Sequence, residues 1–345
     1  MQFIGVGDLH VDKMDGLVED ANAKIVKCVR RGPLKYAREN GVRHIVFYGD
    51  LCEKYRMSYE GQVALYQLFL SPECEEFVLH FILGNHDFAE NGAHSLEVLK
   101  VLANLMGKRL KVYTEQTLVK IGGRKFNMMP HPVLDTRRDC LNVGHFEMKN
   151  SFRDNGRQID HGFTTPHKCV VGHLHTNHRV RRAHYSGTLY QTNFGESLPK
   201  YFHHVLYEDD DPYEVEVENV PIEPPWKLVN LEVRTESDLK QIESHEDTLY
   251  KLFIHEGLDL DLAEVMQQHP NVVRHNKFKN KKELQELIEN EWDFDASSLE
   301  NNIDTRDVVT DYLRQKAKLN DKEIKRAHNM LDRIIQKRAT ATAEE

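Results

Sequence analysis

Five short motifs follow one another within residues 7–175 of a 345-residue chain: Gly7-Asp8-Leu9-His10, Gly49-Asp50-Leu51-Cys52-Glu53, Gly84-Asn85-His86-Asp87, Gly144-His145 and Gly172-His173-Leu174-His175. Their candidate donors are carboxylates, a carboxamide and imidazoles. Oxygen and imidazole nitrogen suit borderline divalent ions such as Mn²⁺, Zn²⁺ or Fe²⁺. Asp8 and His10, two residues apart at a strand end, point to one side and can bind one ion, whereas His173 and His175 form an equivalent pair able to straddle two. Asp50 would bridge them. Two ions about 3.5 to 4 Å apart can activate a water, neutralise a phosphate and stabilise in-line displacement at phosphorus. The chemistry this set suits is phosphoester hydrolysis.

Each motif follows an apolar run: Phe3 to Val6, Ile45 to Tyr48, Leu79 to Leu83, Leu141 to Val143 and Cys169 to Val171. α/β sheets build their sites at the carboxyl ends of strands, where the strand fixes the backbone and the next loop turns a side chain inward. The glycines are expected to permit those turns by adopting backbone conformations other residues resist. Helical spacing over about 19–40, 59–70 and 94–106 alternates with strands up to Leu83, the rhythm of β-α-β units. From about Val112 strands come with short connections. An acidic run at Glu208 to Asp211 and the prolines Pro221, Pro224 and Pro225 suggest an exposed connection. Beyond it, 227–233, 248–255 and 271–275 read as strands of a small β-α-β-α-β module. A charged helical tail begins near Thr305, with an apolar stripe of Ile324, Ala327, Leu331, Ile334 and Ile335.

The composition is that of a soluble globular protein, with 40% hydrophobic and 29% charged residues. No apolar run approaches the roughly 20 residues of a membrane span, and the start reads as a strand rather than a signal peptide. Five cysteines without a CxxC pair argue against a disulfide framework and a structural zinc site, and for a reducing cytoplasm. The net charge, 46 minus 55 or −9, lends no support to a nucleic-acid partner. Two local basic runs, Arg179 to Arg182 and Lys277 to Lys282, answer that objection if they bind phosphates; as DNA contacts they nominate Arg181, Arg182, Lys279 and Lys281. Otherwise they are solvated faces. His131 competes with His145 for a place in the site. Other histidines, among them His44, His80, His94, His161, His167, His178, His184, His203 and His204, are assigned to the surface or the core.

In order and type the motifs match the pattern DxH, GDxx(D/E), GNH(D/E), GH, GHxH, and so resemble the calcineurin-like metallophosphoesterase superfamily. Within it the chain is similar to SbcD-type (Mre-eleven-type) double-strand-break repair nucleases, including a phage recombination endonuclease subunit. The run Tyr185-Ser186-Gly187-Thr188-Leu189-Tyr190-Gln191-Thr192-Asn193-Phe194-Gly195-Glu196 resembles that group's YSGSxxQxxFGE segment. The resemblance implies an α/β four-layer sandwich of two packed mixed sheets flanked by helices, over residues 1–208. It further implies a linker at 209–225, an α/β capping domain governing DNA access at 226–295, and a helical tail at 296–345 that docks on an SbcC-like, SMC-type coiled-coil ATPase. One ion, by resemblance Mn²⁺ with Mg²⁺ as the alternative, would lie on Asp8, His10, Asp50 and His175. The second would lie on Asp50, Asn85, His145 and His173. His86 would contact the scissile phosphate and serve the leaving oxygen, with Asp87 orienting its ring. A histidine usual just after the second motif is replaced here by Cys52-Glu53-Lys54, which bears on how DNA ends or the leaving group are handled. The implied activity is 3′ to 5′ exonuclease and endonuclease action on double-stranded DNA ends, by a homodimer paired through helices near Tyr59 to Met106. The implied location is cytoplasmic, a host's cytoplasm for a phage protein. The competing readings are a metal-dependent phosphatase or cyclic-nucleotide phosphodiesterase, and a scaffold acting through its tail.

Overall fold

The first strand, β1 (Gln2–Val6), shows how the layers arise. Ile4 and Val6 face a core shared with helices, while Phe3, on the opposite side of the pleat, faces a second sheet. The same alternation runs through β2 (His44–Phe47) and β3 (Val78–Ile82): Ile45, Phe47, Leu79 and Phe81 turn to the helices, Val46 and Ile82 to the other sheet. This computed structural model describes residues 1–89, 92–105, 107–153, 157–208 and 211–290. Met1–Trp292 form one compact unit; the other, Asp293–Glu345, holds the expected helical tail and lies outside the described residues.

Three helical segments cover the first sheet. α1 (Ala21–Val29) continues through a π-type turn, Arg30–Leu34, into α2 (Lys35–Glu39). Pro33 lies inside that turn, where its missing N–H and its ring break the regular hydrogen-bond ladder. α3 (Tyr59–Phe69) starts at Ser58, whose hydroxyl accepts from Gly61 N at 2.9 Å. The Asp12 carboxylate accepts from Ser58 N and Ser58 Oγ, both at 2.7 Å, and so ties the loop after the first motif to the start of α3. α4 (Glu97–Leu105) completes the layer, burying Leu99 and Ala103.

β4 (Leu110–Tyr113) closes one edge of the first sheet, whose order is β12-β11-β1-β2-β3-β4, with β11 (Lys200–Leu206) and β12 (Glu216–Ile222). β1 to β4 are parallel, β11 is antiparallel to β1, and β12 is antiparallel to β11. β12 falls inside the stretch expected to be an exposed connection. Its seven residues pair fully with β11, and Ile222 packs against Gly32 of the helical layer, so edge pairing outweighs the acidic and proline-rich flanks. The second sheet has the order β5-β6-β7-β8-β10-β9, from β5 (Thr117–Ile121), β6 (Arg124–Met129), β7 (Leu141–His145), β8 (Cys169–Gly172), β9 (His178–Val180) and β10 (Ala183–Tyr185). Phe3, Tyr48 and Ile82 meet Phe126, Met128, Val143 and Val170 between the two sheets. Gly5 lets them close: a Cβ there would lie 1.7 Å from the Tyr48 hydroxyl.

The expected sandwich is therefore present, with one difference in its outer layers. Among the described residues, helices cover only the first sheet; on the far face of the second, Phe146, Met148, Ile159 and Phe163 from irregular segments pack on Cys169, Val171 and Tyr185. A third sheet, β13 (Lys227–Val233), β14 (Thr248–His255) and β15 (Val272–Phe278), is parallel throughout. Its first crossover is a 3₁₀ turn, Glu236–Gln241, rather than the expected helix, and its second is α5 (Leu262–Gln268), with α6 (Lys281–Asn290) following β15. Trp226, Leu228 and Leu249, near the strand starts, join the core of the first sheet and its helices. All five cysteines are buried free thiols, and no described helix is long and apolar enough to cross a membrane.

Candidate metal centre

Asp8 follows β1, Asp50 follows β2, Asn85 follows β3, His145 ends β7, and His173 and His175 follow β8, so strands of both sheets deliver their ends to one place. Asp8 and Asp50 are 1% and 2% exposed, and carboxylates buried this deeply need positive charge or donors around them. Three groups of donor atoms converge there: Asp8, His10 and His175; His10, Asp50 and His86; Asp50, His145 and His173. The Nε2 atoms of His10 and His175 face each other at 3.0 Å. Asn85 Oδ1 lies 3.0 Å from both His145 Nε2 and His173 Nδ1. Asp50 Oδ2 lies 3.1 Å from His145 Nε2 and 3.9 Å from His10 Nε2, between the two groups. A buried, oxygen-and-imidazole donor set converging in this way fits two divalent ions.

The electrostatics follow from the same packing. Burial alone would raise the Asp50 carboxyl, but His145, His10 and His86 together hold it well below its ordinary value. Burial opposes protonation of His145, yet Asp50 and Asp8 outweigh it and push the imidazole up to about 9. In the metal-free chain, a proton on His145 thus supplies part of the charge the carboxylates demand.

The ligand loops are built differently from the sequence expectation. Of the five motif glycines only Gly49 takes a left-handed φ, +114°. The donors His10, Asp50 and His173 adopt it themselves, with φ of 42°, 45° and 85°, a conformation unusual outside glycine that concentrates at functional sites. The glycines are instead places of close approach: a Cβ on Gly84 would lie 2.1 Å from Asp50 Oδ1, on Gly172 2.6 Å from Asp8 Oδ1, and on Gly49 2.3 Å from His145 Nδ1. Gly84→Ala should accordingly displace Asp50, lowering metal-dependent turnover and costing on the order of 1–3 kcal/mol of stability, as measured by thermal denaturation.

Asp87 is not where it was expected to act. Its fully buried carboxylate accepts from Gly84 N at 2.9 Å, Leu51 N at 3.1 Å, Cys52 N at 3.2 Å and Ser95 Oγ at 3.3 Å, pinning the second motif to the third. The His86 ring is held by another group, the Glu53 carbonyl, 2.8 Å from Nδ1. His86 Nε2 then faces Asp50 Oδ2 at 4.0 Å. His131 senses His145 and His173, and burial with those neighbours pushes it down to about 4, but it joins none of the three groups.

Two carboxylates escaped the sequence reading as members of the site. Glu53 Oε2 lies 2.9 Å from His10 Nδ1, and Glu196 Oε1 lies 2.9 Å from His175 Nδ1. Glu196 is buried; Lys200 Nζ, 2.5 Å from its other oxygen, and His175 hold its carboxyl well below the usual range despite burial. Its place in the Phe194-Gly195-Glu196 run was the available signal.

The nominated DNA contacts lie elsewhere. Arg182 O accepts from Cys169 N at 3.0 Å, at the start of β8, whereas His173 follows that strand's end, ~13 Å of strand away. The Arg182 guanidinium covers the Tyr213 ring at 4.3 Å, and Arg181 occupies the turn before β10. Lys279 and Lys281 follow Phe278, at the end of the third sheet opposite the strand starts that pack on the core. Charge runs show in a sequence; which end of a sheet they occupy does not.

The family model of calcineurin-like phosphoesterases matches residues 1–185, more than half of the 345, and the chain belongs to that family. Family and donor groups together make it a metal-dependent phosphoester hydrolase. No curated protein matches the chain. Among solved structures, that of a hypothetical protein from Thermus thermophilus is similar at 12% identity, over 65% of this chain and 100% of that one, with a TM-score of 0.35.

Proposed function

We propose that this phosphoesterase is a two-metal phosphodiester hydrolase acting on DNA: a 3′ to 5′ exonuclease and endonuclease subunit of an SbcCD-like repair and recombination complex. In this reading it works as a homodimer on double-stranded ends with an SMC-type ATPase, in the cytoplasm. The observation that carries the reading is the segment Tyr185 to Glu196, which resembles the corresponding run of those nucleases and links the metal centre to the third sheet. Glu196 backs His175, while Gln191 Nε2 donates to Glu196 O at 2.7 Å and to Leu228 O at 3.2 Å. Gln191 also accepts from Leu228 N and, through its carbonyl, from Trp226 Nε1, both at 2.9 Å. An accessory sheet fastened to a metal ligand suits a substrate that extends well beyond one phosphate.

Asp8, His10, Asp50, Asn85, His145, His173 and His175 would hold the ions, Mn²⁺ in this reading. Bound there, the ions supply Lewis acidity that lowers the pKa of water and neutralises phosphate charge. The remaining steps fall to side chains. Asp50 orients the third motif by accepting from His86 N at 2.9 Å. His86, its Nδ1–H donating to Glu53 O, presents Nε2 to the cleft, from which the imidazolium gives its proton to the leaving oxygen.

End-labelled duplex DNA incubated with the purified chain and Mn²⁺ should shorten from its 3′ ends, and a chelator should stop it. Intact DNA alongside rapid hydrolysis of p-nitrophenyl phosphate, a monoester, would replace this reading with that of a phosphatase.

A further inference from the structure

The segment that follows β7 passes along the rim of the metal centre with its backbone tied down. Asn150 N donates to Ile159 O at 2.7 Å, Ile159 N to Ser151 O at 2.8 Å and Arg153 N to Arg157 O at 3.0 Å. Phe152 N donates to His178 Nε2 at 3.2 Å, and the two rings meet edge-on, 5.9 Å apart. His178 in turn stacks on Tyr185, at 4.6 Å and 7°. Strand register fixes the place. His178 pairs with Tyr185, and Tyr185 with Val171, two residues before His173. Phe152 therefore stands at the ligand end of the second sheet, beside a strand ~10 Å across from β8. Arg153 reaches the centre through Glu147, whose Oε1 lies 3.5 Å from both Arg153 Nη2 and His173 Nε2.

A single exposed apolar side chain is ordinary on a protein surface. Phe152 is set apart by its place: it is 41% exposed, braced from behind by His178, and followed at once by a cation whose side chain is 53% exposed. An aromatic face beside a cation suits unpaired nucleic acid, because every base offers a π-face and every phosphate a charge. We infer that Phe152 and Arg153 form a nucleotide subsite beside the metal centre, the ring stacking on an unpaired base of the strand being cut and the guanidinium holding a neighbouring phosphate. Glu147 is a positioning residue: it holds one nitrogen of the Arg153 fork and leaves the others for the phosphate. A base inside a duplex has both faces covered by its neighbours, so the end pairs of a duplex must open before the subsite fills.

The inference rests on the DNA reading of the centre, and its test separates the two. Fluorescence anisotropy of the full chain compares a labelled thymidine oligonucleotide with an abasic strand of the same length, Ca²⁺ replacing Mn²⁺ and gels confirming that both stay uncut. The phosphates are then equal and only the bases differ. The unaltered chain should bind the thymidine strand about 10–100-fold more tightly. Phe152→Ala and Phe152→Leu should bind both strands alike, the second keeping apolar bulk while losing the ring, and Phe152→Trp should keep the preference. Arg153→Gln should weaken both strands equally and flatten the slope of log K against log salt by about 0.7. A preference that survives in Phe152→Leu, its absence from an unaltered chain that binds both strands, or an unchanged salt slope in Arg153→Gln would overturn the inference. An unaltered chain that binds neither strand and leaves duplex DNA intact with Mn²⁺ would instead overturn the DNA reading, and the subsite with it.

Discussion

Replacing Asp50 with alanine should lower hydrolysis of a phosphodiester by ~10³-fold or more, because several kcal/mol of charge stabilisation depend on ions that this carboxylate helps to hold. It is the one donor facing both groups, 3.1 Å from His145 Nε2 and 3.9 Å from His10 Nε2, and it also accepts from His86 N. Alanine would remove all three contacts and leave the left-handed backbone at φ 45° on a residue that resists it. Asp50→Asn is the informative companion. Asparagine tolerates that conformation and can still accept from His86 N, so it should fold while losing the bridging charge. Mn²⁺ stoichiometry and turnover of bis-p-nitrophenyl phosphate are the measurements; an Asp50→Asn protein that still binds two ions and turns over normally would remove Asp50 from the centre. With chelator present, the same pair should show a pH signature. Asp50's carboxyl is lowered from 3.8, so its contribution appears above that value; His145 is raised to about 9, so its contribution fades as pH rises through 9. The stability gap between wild type and Asp50→Asn in thermal melts should therefore be widest between about pH 3.8 and 6.5, and should shrink as pH rises from 6.5 through 9.

His86→Ala should reduce cleavage of DNA by ~10²–10⁴-fold, the usual worth of a placed general acid. The leaving group decides the size of the effect. A sugar alkoxide is strongly basic and needs the proton from Nε2, whereas p-nitrophenolate departs without one, so bis-p-nitrophenyl phosphate should lose much less. Because His86 also falls within a donor group with His10 and Asp50, ion counting must accompany the assay. Two ions still bound with DNA cleavage lost would fit the acid. Loss of an ion would make His86 a ligand instead. Its side chain is only 17% exposed and its Nδ1 is bonded to the Glu53 carbonyl at 2.8 Å, so removal should also cost on the order of 1–3 kcal/mol of stability, read by thermal denaturation.

The sequence by itself determined the donor set and the architecture that carries it. Oxygen and imidazole donors after five apolar runs already specify a divalent-ion centre at strand ends, because residue type sets ligand chemistry and a period of two sets which side chains share a side. The strands 227–233 and 248–255 were legible to the residue because an apolar run of strand length is a local feature of the chain. Contacts between distant segments were decided only by the tertiary structure. That Glu53 and Glu196 stand behind two histidines, that Asp87 pins loops instead of turning His86, and that Arg182 lies at the end of β8 away from His173 all depend on strand direction and sheet packing. The glycines make the point most plainly. Their sequence context suggested turns, but what excludes a side chain at Gly84 and Gly172 is Asp50 and Asp8, brought against them from other strands at 2.1 and 2.6 Å. A local preference can be read from neighbours in the chain; a steric limit set by residues 34 or 164 positions away exists only once the chain has folded.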